Sequence, residues 1–322
     1  MSRILTGIQS TATPHLGNIL GAVIPAAKMA DDSKNESFLF IADMHSLTQI
    51  KDGAEIRKNT LSTAATWLAF GIDPEKTAFY RQSDVPEVTE LTWYLMCYYP
   101  YSRLSLAHSF KDKADRLEDV NSGLFTYPML MAADILLYDA DIVPVGKDQM
   151  QHLEMTRDVA TRFNNKMGET LVIPQVQVQK DTMLVPGTDG EKMSKSRNNF
   201  INIFLPEKEL RKQVLSIQSD SKGLDEPKDP ETCTIYSLYK LIANPDQTLK
   251  MEKNYMSGGY GYGHAKQELF EVILKRFSAE RTLYDSLMKN PHKINEALNI
   301  GAIRARNEAK KVLKRVRDKV GY

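Results

Sequence analysis

Cysteine is scarce: the 322 residues hold two, Cys97 and Cys233, with no Cys or His at ligand spacing beside either. That excludes a disulfide framework or a zinc knuckle and suits a reducing compartment. Net charge is scarce as well. The formal value is +1 at pH 7, so any surface for nucleic acid must be a local patch and not a global excess. Long hydrophobic runs are missing: the longest, residues 129–137, is interrupted by Asp134 and is too short to span a bilayer. Met1-Ser2-Arg3-Ile4-Leu5 has no apolar signal core and runs directly into a strand-like stretch. There are no internal repeats or low-complexity tracts. The expectation is a cytoplasmic protein with no membrane contact, and 42% hydrophobic residues suffice for one large core or two modest ones.

What is present first is a βα rhythm. Residues 4–8 (ILTGI) form an apolar run without alternation, the mark of a strand buried on both faces. A small-residue turn from Gln9 to Asn18 follows, then a helix from Ile19 to about Met29. Residues 38–42 repeat the pattern and end at Asp43-Met44-His45. A helix over 59–70 and a strand over 77–83 continue it, with another strand over 141–146 and a helix over 151–163. Alternation of this kind predicts a doubly wound parallel α/β sheet, Rossmann-like, with ligands beyond the C-terminal strand ends. From Leu205 onward helices with Lys/Glu surfaces take over, broken by Pro227, Pro230 and Pro245. The expected division is a catalytic domain over 1–204, with a connecting insertion around 100–185, and a helical domain over 205–322. The last helix is free to pack back on the catalytic domain.

Three stretches carry chemistry. Lys192-Met193-Ser194-Lys195-Ser196 follows the turn-rich Pro186-Gly187-Thr188-Asp189-Gly190, which places two cations and two hydroxyls on a loop expected to be mobile. Such a loop can close on a polyanion while charge is moving; its bland counterpart is a solvated Lys/Ser loop. Pro14-His15-Leu16-Gly17-Asn18 stands where a strand hands over to a helix, a geometry that binds phosphate through free N–H groups. His15 and Asn18 can donate to phosphate oxygens and Gly17 permits close approach, although Asn18 equally suits an ordinary cap. In the helix over 127–138, with Pro128 in its first turn, Asp134 lies on a largely apolar face with Leu130 and Leu137, beside Tyr127 and Met131. A carboxylate there needs a donor, either an internal arginine or backbone group or the N–H of a ligand in a flat pocket. Gly146-Lys147-Asp148-Gln149, just past a strand, offers groups suited to ribose.

Residues 91–101 are dense in aromatics (Trp93, Tyr94, Tyr98, Tyr99, Tyr101), read either as core or as a subunit interface. The final helix, roughly 290–320, holds eight basic residues between Arg304 and Lys319 against two acids, a local net of +6 that leaves the rest of the chain at −5. That is an electrostatic footprint for RNA or a solvated basic face.

Together these residues resemble the class I aminoacyl-tRNA synthetases, and among them the bacterial tryptophanyl-tRNA synthetase family, over nearly the full length. The resemblance rests on Gly7-Ile8-Gln9, His15-Leu16-Gly17-Asn18, Asp43-Met44-His45, Gln82-Ser83, Phe110-Lys111-Asp112-Lys113, Thr126-Tyr127-Pro128 through Asp134, Val143-Pro144-Val145-Gly146-Lys147-Asp148-Gln149, the Lys192–Ser196 loop and the Gly-Tyr-Gly link at Gly261. Met131-Ala132-Ala133-Asp134 is the stretch that points to tryptophan. The chain departs from the family in Ser10-Thr11-Ala12, where Pro-Ser/Thr-Gly is usual, in Lys147, where Glu is usual, and in His15, where Thr is frequent.

The resemblance implies attack of the L-tryptophan carboxylate on the α-phosphate of ATP, release of pyrophosphate, and transfer of the acyl group to the 2′-hydroxyl of tRNA(Trp). It implies catalytic roles for Lys192, Lys195, Lys113 and Gln9, with Mg²⁺ brought by ATP and no metal ligands from the protein. Gln9, Ser10, Thr11, His15, Gly17, Asn18, Gly146, Lys147, Asp148, Met183, Lys192, Met193, Ser194, Lys195 and Ser196 would hold ATP. Gly7, His45, Tyr127, Met131, Asp134, Val143, Val145 and Gln149 would hold tryptophan, with Asp134 accepting the indole N–H. A homodimer and an anticodon-binding role for the helical domain are implied as well. Three rivals remain. A tyrosyl-tRNA synthetase would need a phenol partner in the pocket, a non-enzymatic RNA-binding relative would have no need of Lys192, Lys195, Gly17 and Asn18, and a small nucleotidylyltransferase would have no use for the helical domain.

Overall fold

The computed structural model describes residues 2–107, 120–146, 149–178 and 184–322. Its sheet has five parallel strands, β1 (Ser2–Ile8), β2 (Asn35–Ile41), β3 (Ala78–Arg81), β4 (Ile142–Val145) and β5 (Gln175–Val178), in the order β3-β2-β1-β4-β5. The order reverses beside β1, so β1 and β4 diverge there and their C-terminal ends open a crevice. Apolar runs become central strands because each must bury both faces: Leu5, Phe38, Phe40 and Tyr80 enter one core with Met129, Val143, Leu153 and Phe163. Phe79 points the other way and stacks on Trp67 of the Gly53–Ala69 helix, ring centroids 5.6 Å apart. Asp52 caps that helix by accepting the N–H groups of Ala54 and Glu55.

Two expectations are corrected here. β5 has no counterpart among the expected strands, because an edge strand alternating Gln and Val gives a weak apolar signal. Pro128 does not sit in a first turn: the helix is Ser122–Leu136, capped by Asn121, whose carbonyl oxygen Oδ1 accepts the Leu124 N–H, and Pro128 lies inside it. Among the described residues no helix is long and apolar enough to cross a membrane.

The chain divides into two compact units, one of Met1–Ala12, Ala26–Thr182 and Asn290–Tyr322, the other of Thr13–Pro25 and Met183–Lys289. This differs from a single cut at residue 204. The His15–Asn18 turn and the Lys192–Ser196 loop fall in the helical unit, and the last helix falls in the sheet unit. The helical unit is built from the helices Glu207–Leu215, Thr234–Ile242, Pro245–Ser257, Tyr262–Arg276 and Ser278–Lys289, with Leu210, Ile235, Met251, Tyr255 and Ile273 buried.

The last helix, Pro291–Val320, covers the β3 edge. Gly301 makes this approach feasible, since a Cβ there would stand 1.9 Å from the Phe79 carbonyl oxygen. Gly301→Val is expected to lower stability by about 3 kcal/mol, the upper end of the ordinary overpacking range, because backbone and not a flexible side chain must give way. A denaturant midpoint equal to wild type would refute this. The same helix is tied down by charge. Arg304 pairs with Glu75, Arg306 with Glu87, Arg315 with Asp139, and Arg317 with Glu90, while Lys311 and Lys314 pair within the helix with Glu308 and Asp318. The +6 window is therefore largely neutralised by acids from the sheet unit, and its footprint is that of a scaffold helix more than of an RNA surface.

Candidate active site

In the sheet unit, the ends of β2 and β3 are laced together. Asp43 accepts the Ser83 N–H at 3.0 Å, the Ser83 hydroxyl at 2.5 Å and the Met44 N–H at 3.0 Å. This fixes His45, on the short helix Asp43–Ser46, opposite Gln82, the residue after β3. Both reach Asp134: His45 Nε2 stands 2.8 Å from Oδ2, and the Gln82 amide donates to Oδ1 and Oδ2 at 2.8 and 2.9 Å. Asp134 is 3% exposed. Burial raises its proton affinity above the ordinary carboxylate value, and the bonds from His45 and Gln82 oppose that rise. The partners are thus an imidazole and an amide, not the arginine or backbone group considered from the sequence. A carboxylate has about four lone-pair positions, and these two donors leave room for a third.

Tyr127 lies about two helical turns before Asp134 on the same helix, edge-on to the His45 ring with centroids 6.0 Å apart. Its hydroxyl is 2.8 Å from His152 Nε2, and His152 Nδ1 is 3.1 Å from Gln149 Oε1. An amide oxygen only accepts, so Nδ1 carries the proton and Nε2 accepts from the phenol. Tyr127, His152 and Gln149 therefore form one oriented chain beside the Asp134 cluster.

In the helical unit the two phosphate-type stretches come together. The Gly17 N–H reaches Met193 Sδ at 3.3 Å and the Leu16 N–H donates to the Ile201 carbonyl at 2.8 Å. His15 Nδ1 accepts the Asn18 N–H at 3.2 Å, while Asn18 Oδ1 accepts the His15 N–H at 3.2 Å, a reciprocal cap. Asn18 is thus both cap and neighbour of the loop. With Nδ1 accepting, the neutral ring carries its proton on Nε2. Burial, and secondarily the charge on Lys195, hold His15 down to about 4, so it stays neutral at physiological pH. Burial lowers Lys195 to about 8. A half-buried ammonium on the loop and a neutral donor on the turn suit a polyanion.

The first half of the loop is bonded to its surroundings. Asn199, 2% exposed, accepts the Ser194 N–H at 2.7 Å and donates to Asp189 at 2.7 Å and to the Lys192 carbonyl at 3.1 Å. Met193 N–H bonds to the Val185 carbonyl, and Pro186 and Lys192 form an antiparallel bridge.

Of the other expected residues, Gln9 follows β1 and is exposed, Thr11 and Gly146 are half-buried, and Met131 is half-buried on the Tyr127 helix. Gly7 is exposed in β1, and a Cβ there would meet the Phe40 ring at 2.5 Å. Lys192 and Ser196 are exposed, with the Ser196 hydroxyl 2.8 Å from that of Ser194. Val145 closes β4, and Val143 faces the core. Ser10 is wholly buried, its hydroxyl bonded to those of Ser46 and Thr60, so it anchors the turn instead of reaching outward to a nucleotide. Lys113, Lys147, Asp148 and Met183 lie outside the described residues, as does the whole Phe110–Lys113 stretch. Gln82, His152 and Asn199 received no role from the sequence, since each acts through bonds to residues that no local pattern links to it.

Comparison with known proteins agrees with this geometry. Residues 1–278 match the family model described as tRNA synthetases class I (W and Y). The tryptophan–tRNA ligase of Campylobacter jejuni strain RM1221 is 44% identical over 320 residues, 99% of each chain, and that of Fusobacterium nucleatum is 45% identical over all of this chain and 98% of its own. The crystal structure of the Campylobacter jejuni tryptophanyl-tRNA synthetase complexed with ADP and tryptophan superposes with a TM-score of 0.96 at 43% identity, covering 99% of this chain and all of that one. A tyrosyl-tRNA synthetase from Archaeoglobus fulgidus, at 17% identity and a TM-score of 0.65, shares the fold.

Proposed function

The chain belongs to the class I tRNA synthetases for tryptophan and tyrosine, within the tryptophan–tRNA ligases, and from that premise we propose that it activates L-tryptophan with ATP and charges tRNA(Trp). The tryptophan carboxylate attacks the α-phosphate, pyrophosphate leaves, and the 2′-hydroxyl of the terminal ribose takes the acyl group. Phosphoryl attack needs positioning and charge neutralisation more than covalent help. Lys195 and Lys192, with Lys113, neutralise the leaving pyrophosphate, and Mg²⁺ enters with ATP as its counter-ion. Nε2–H of His15 and the backbone at Gly17 hold the phosphates. On the amino-acid side Asp134 accepts the indole N–H, and Tyr127 and Gln149 face the rest of the substrate.

The observation that carries this reading is the bond from Gly17 to Met193, which joins two anion-binding stretches far apart in sequence. The rival specificity, tyrosine, is disfavoured by the relatives of high identity over the full chain, which are tryptophan–tRNA ligases. Exposure of Trp93 (62%) and Tyr101 (76%) supports a homodimer. ATP–pyrophosphate exchange measured across a panel of amino acids tests the function. Exchange driven by tryptophan alone is expected; exchange driven by tyrosine, or by none, would overturn the assignment.

A further inference from the structure

We propose that Gln82 is a positioning residue for substrate choice: its amide aims the lone pairs of Asp134 that recognise the ring N–H. This rests on the reading of Asp134 as the acceptor of that N–H. Gln82 is 1% exposed, in the turn Gln82–Asp84 after β3. Its orientation is set from behind, because Oε1 faces the His45 N–H at 3.4 Å and so turns Nε2 toward Asp134. From there Nε2 reaches both carboxylate oxygens, at 2.8 and 2.9 Å, which fixes the rotation of the carboxylate about its own axis. His45 touches one oxygen only and cannot fix that rotation alone. Among the described residues, Asp43 on the helix of His45, Tyr80 on β3 and Tyr138 beyond the end of the Ser122–Leu136 helix also act on Asp134; the first raises the proton affinity of Asp134, and the two phenols are themselves held protonated by burial. The amide holds Asp134 without adding a charge or a titratable proton.

The test compares tryptophan with β-(3-benzothienyl)alanine, in which sulfur replaces the ring N–H, by kcat/KM in pyrophosphate exchange over a range of pH. Wild type is expected to favour tryptophan, and Gln82→Met to shrink that preference roughly ten- to hundredfold, the scale of a bond to a charged group. Gln82→Glu is the sharper variant. Protonated, its carboxyl donates to Asp134 as the amide does; ionised, it repels Asp134. Its kcat/KM for tryptophan should therefore gain, below the range near 8 in which Lys195 loses its charge, a fall with rising pH that wild type lacks there, with the KM for ATP unmoved. Being isosteric, it keeps the test decisive where Gln82→Met fails to fold. If wild type discriminates and both variants match it in ratio and pH profile, Asp134 remains the acceptor and Gln82 loses this role. If wild type treats the two amino acids alike, the acceptor reading itself falls and takes the proposal with it.

Discussion

Lys195→Ala is expected to slow ATP–pyrophosphate exchange by about 10²- to 10³-fold, the range for removing one preorganised charge-stabilising group, while tryptophan binding at equilibrium stays within twofold. The ammonium is half-buried and lies close enough to His15 for its charge to oppose protonation there. A charge placed in advance, and partly desolvated, acts on the transition state without reorganising water. The same burial gives a pH signature. In the free enzyme Lys195 is charged below about 8 and loses its proton above it, so kcat/KM for ATP should fall as pH rises through that value. Lys195→Arg, charged throughout, should flatten the fall even where it lowers the rate, because a guanidinium keeps its proton across this range. A full exchange rate in Lys195→Ala, or an unchanged alkaline limb in Lys195→Arg, would remove Lys195 from the chemistry.

The parts of the fold legible in the sequence are those decided by local patterns. Residues 38–42 had to be a strand because an apolar run of that length, ending in polar residues, fits the centre of a parallel sheet and little else. β5 escaped because half of its side chains are glutamines, and an edge strand has no second neighbour to force an apolar pattern. The Ser122–Leu136 helix was misplaced at its start: Ser122-Gly123 is a poor helix opening by propensity, and the Asn121 cap that makes up for it reads as an ordinary loop residue.

Charge was the least legible feature. A window count sees eight basic residues in the last helix and cannot see Glu75, Glu87, Glu90 and Asp139, which answer four of them from more than 170 positions away. The site divides along the same line. His15, Asn18, Lys195 and Asp134 could be named because backbone geometry or an apolar face made each of them conspicuous. Gln82, His152 and Asn199 could not, because an amide or imidazole acquires its meaning from the groups it orients, and those lie on other elements. Ser10 shows the converse. The family resemblance implied a nucleotide contact for it, whereas the hydroxyls of Ser46 and Thr60 draw it inward.

Asp134→Ala is expected to abolish the preference for tryptophan over phenylalanine, a loss of up to about 10⁴ in the ratio of kcat/KM, since a buried acceptor left unpaired by the wrong substrate is what makes such ratios large. The size follows from what surrounds the carboxylate. With 3% exposure, water cannot replace a missing ring N–H, so phenylalanine leaves the acceptor short of a partner at the full desolvation cost. Alanine removes that penalty and the bond together, which brings the two substrates to the level set by ring area alone. It also strands the Gln82 amide and the His45 ring, so a modest fall in melting temperature is expected; Asp134→Asn, which keeps an oxygen in place, should melt higher and discriminate partially. The KM for ATP is the control, because the proposed nucleotide holders are His15, Gly17 and the Lys192–Ser196 loop, whereas Asp134 is bonded to His45 and Gln82. Parallel losses for tryptophan and ATP would mean that Asp134 supports the sheet unit as a whole, and the specificity would then have to be sought in the Tyr127–His152–Gln149 chain instead.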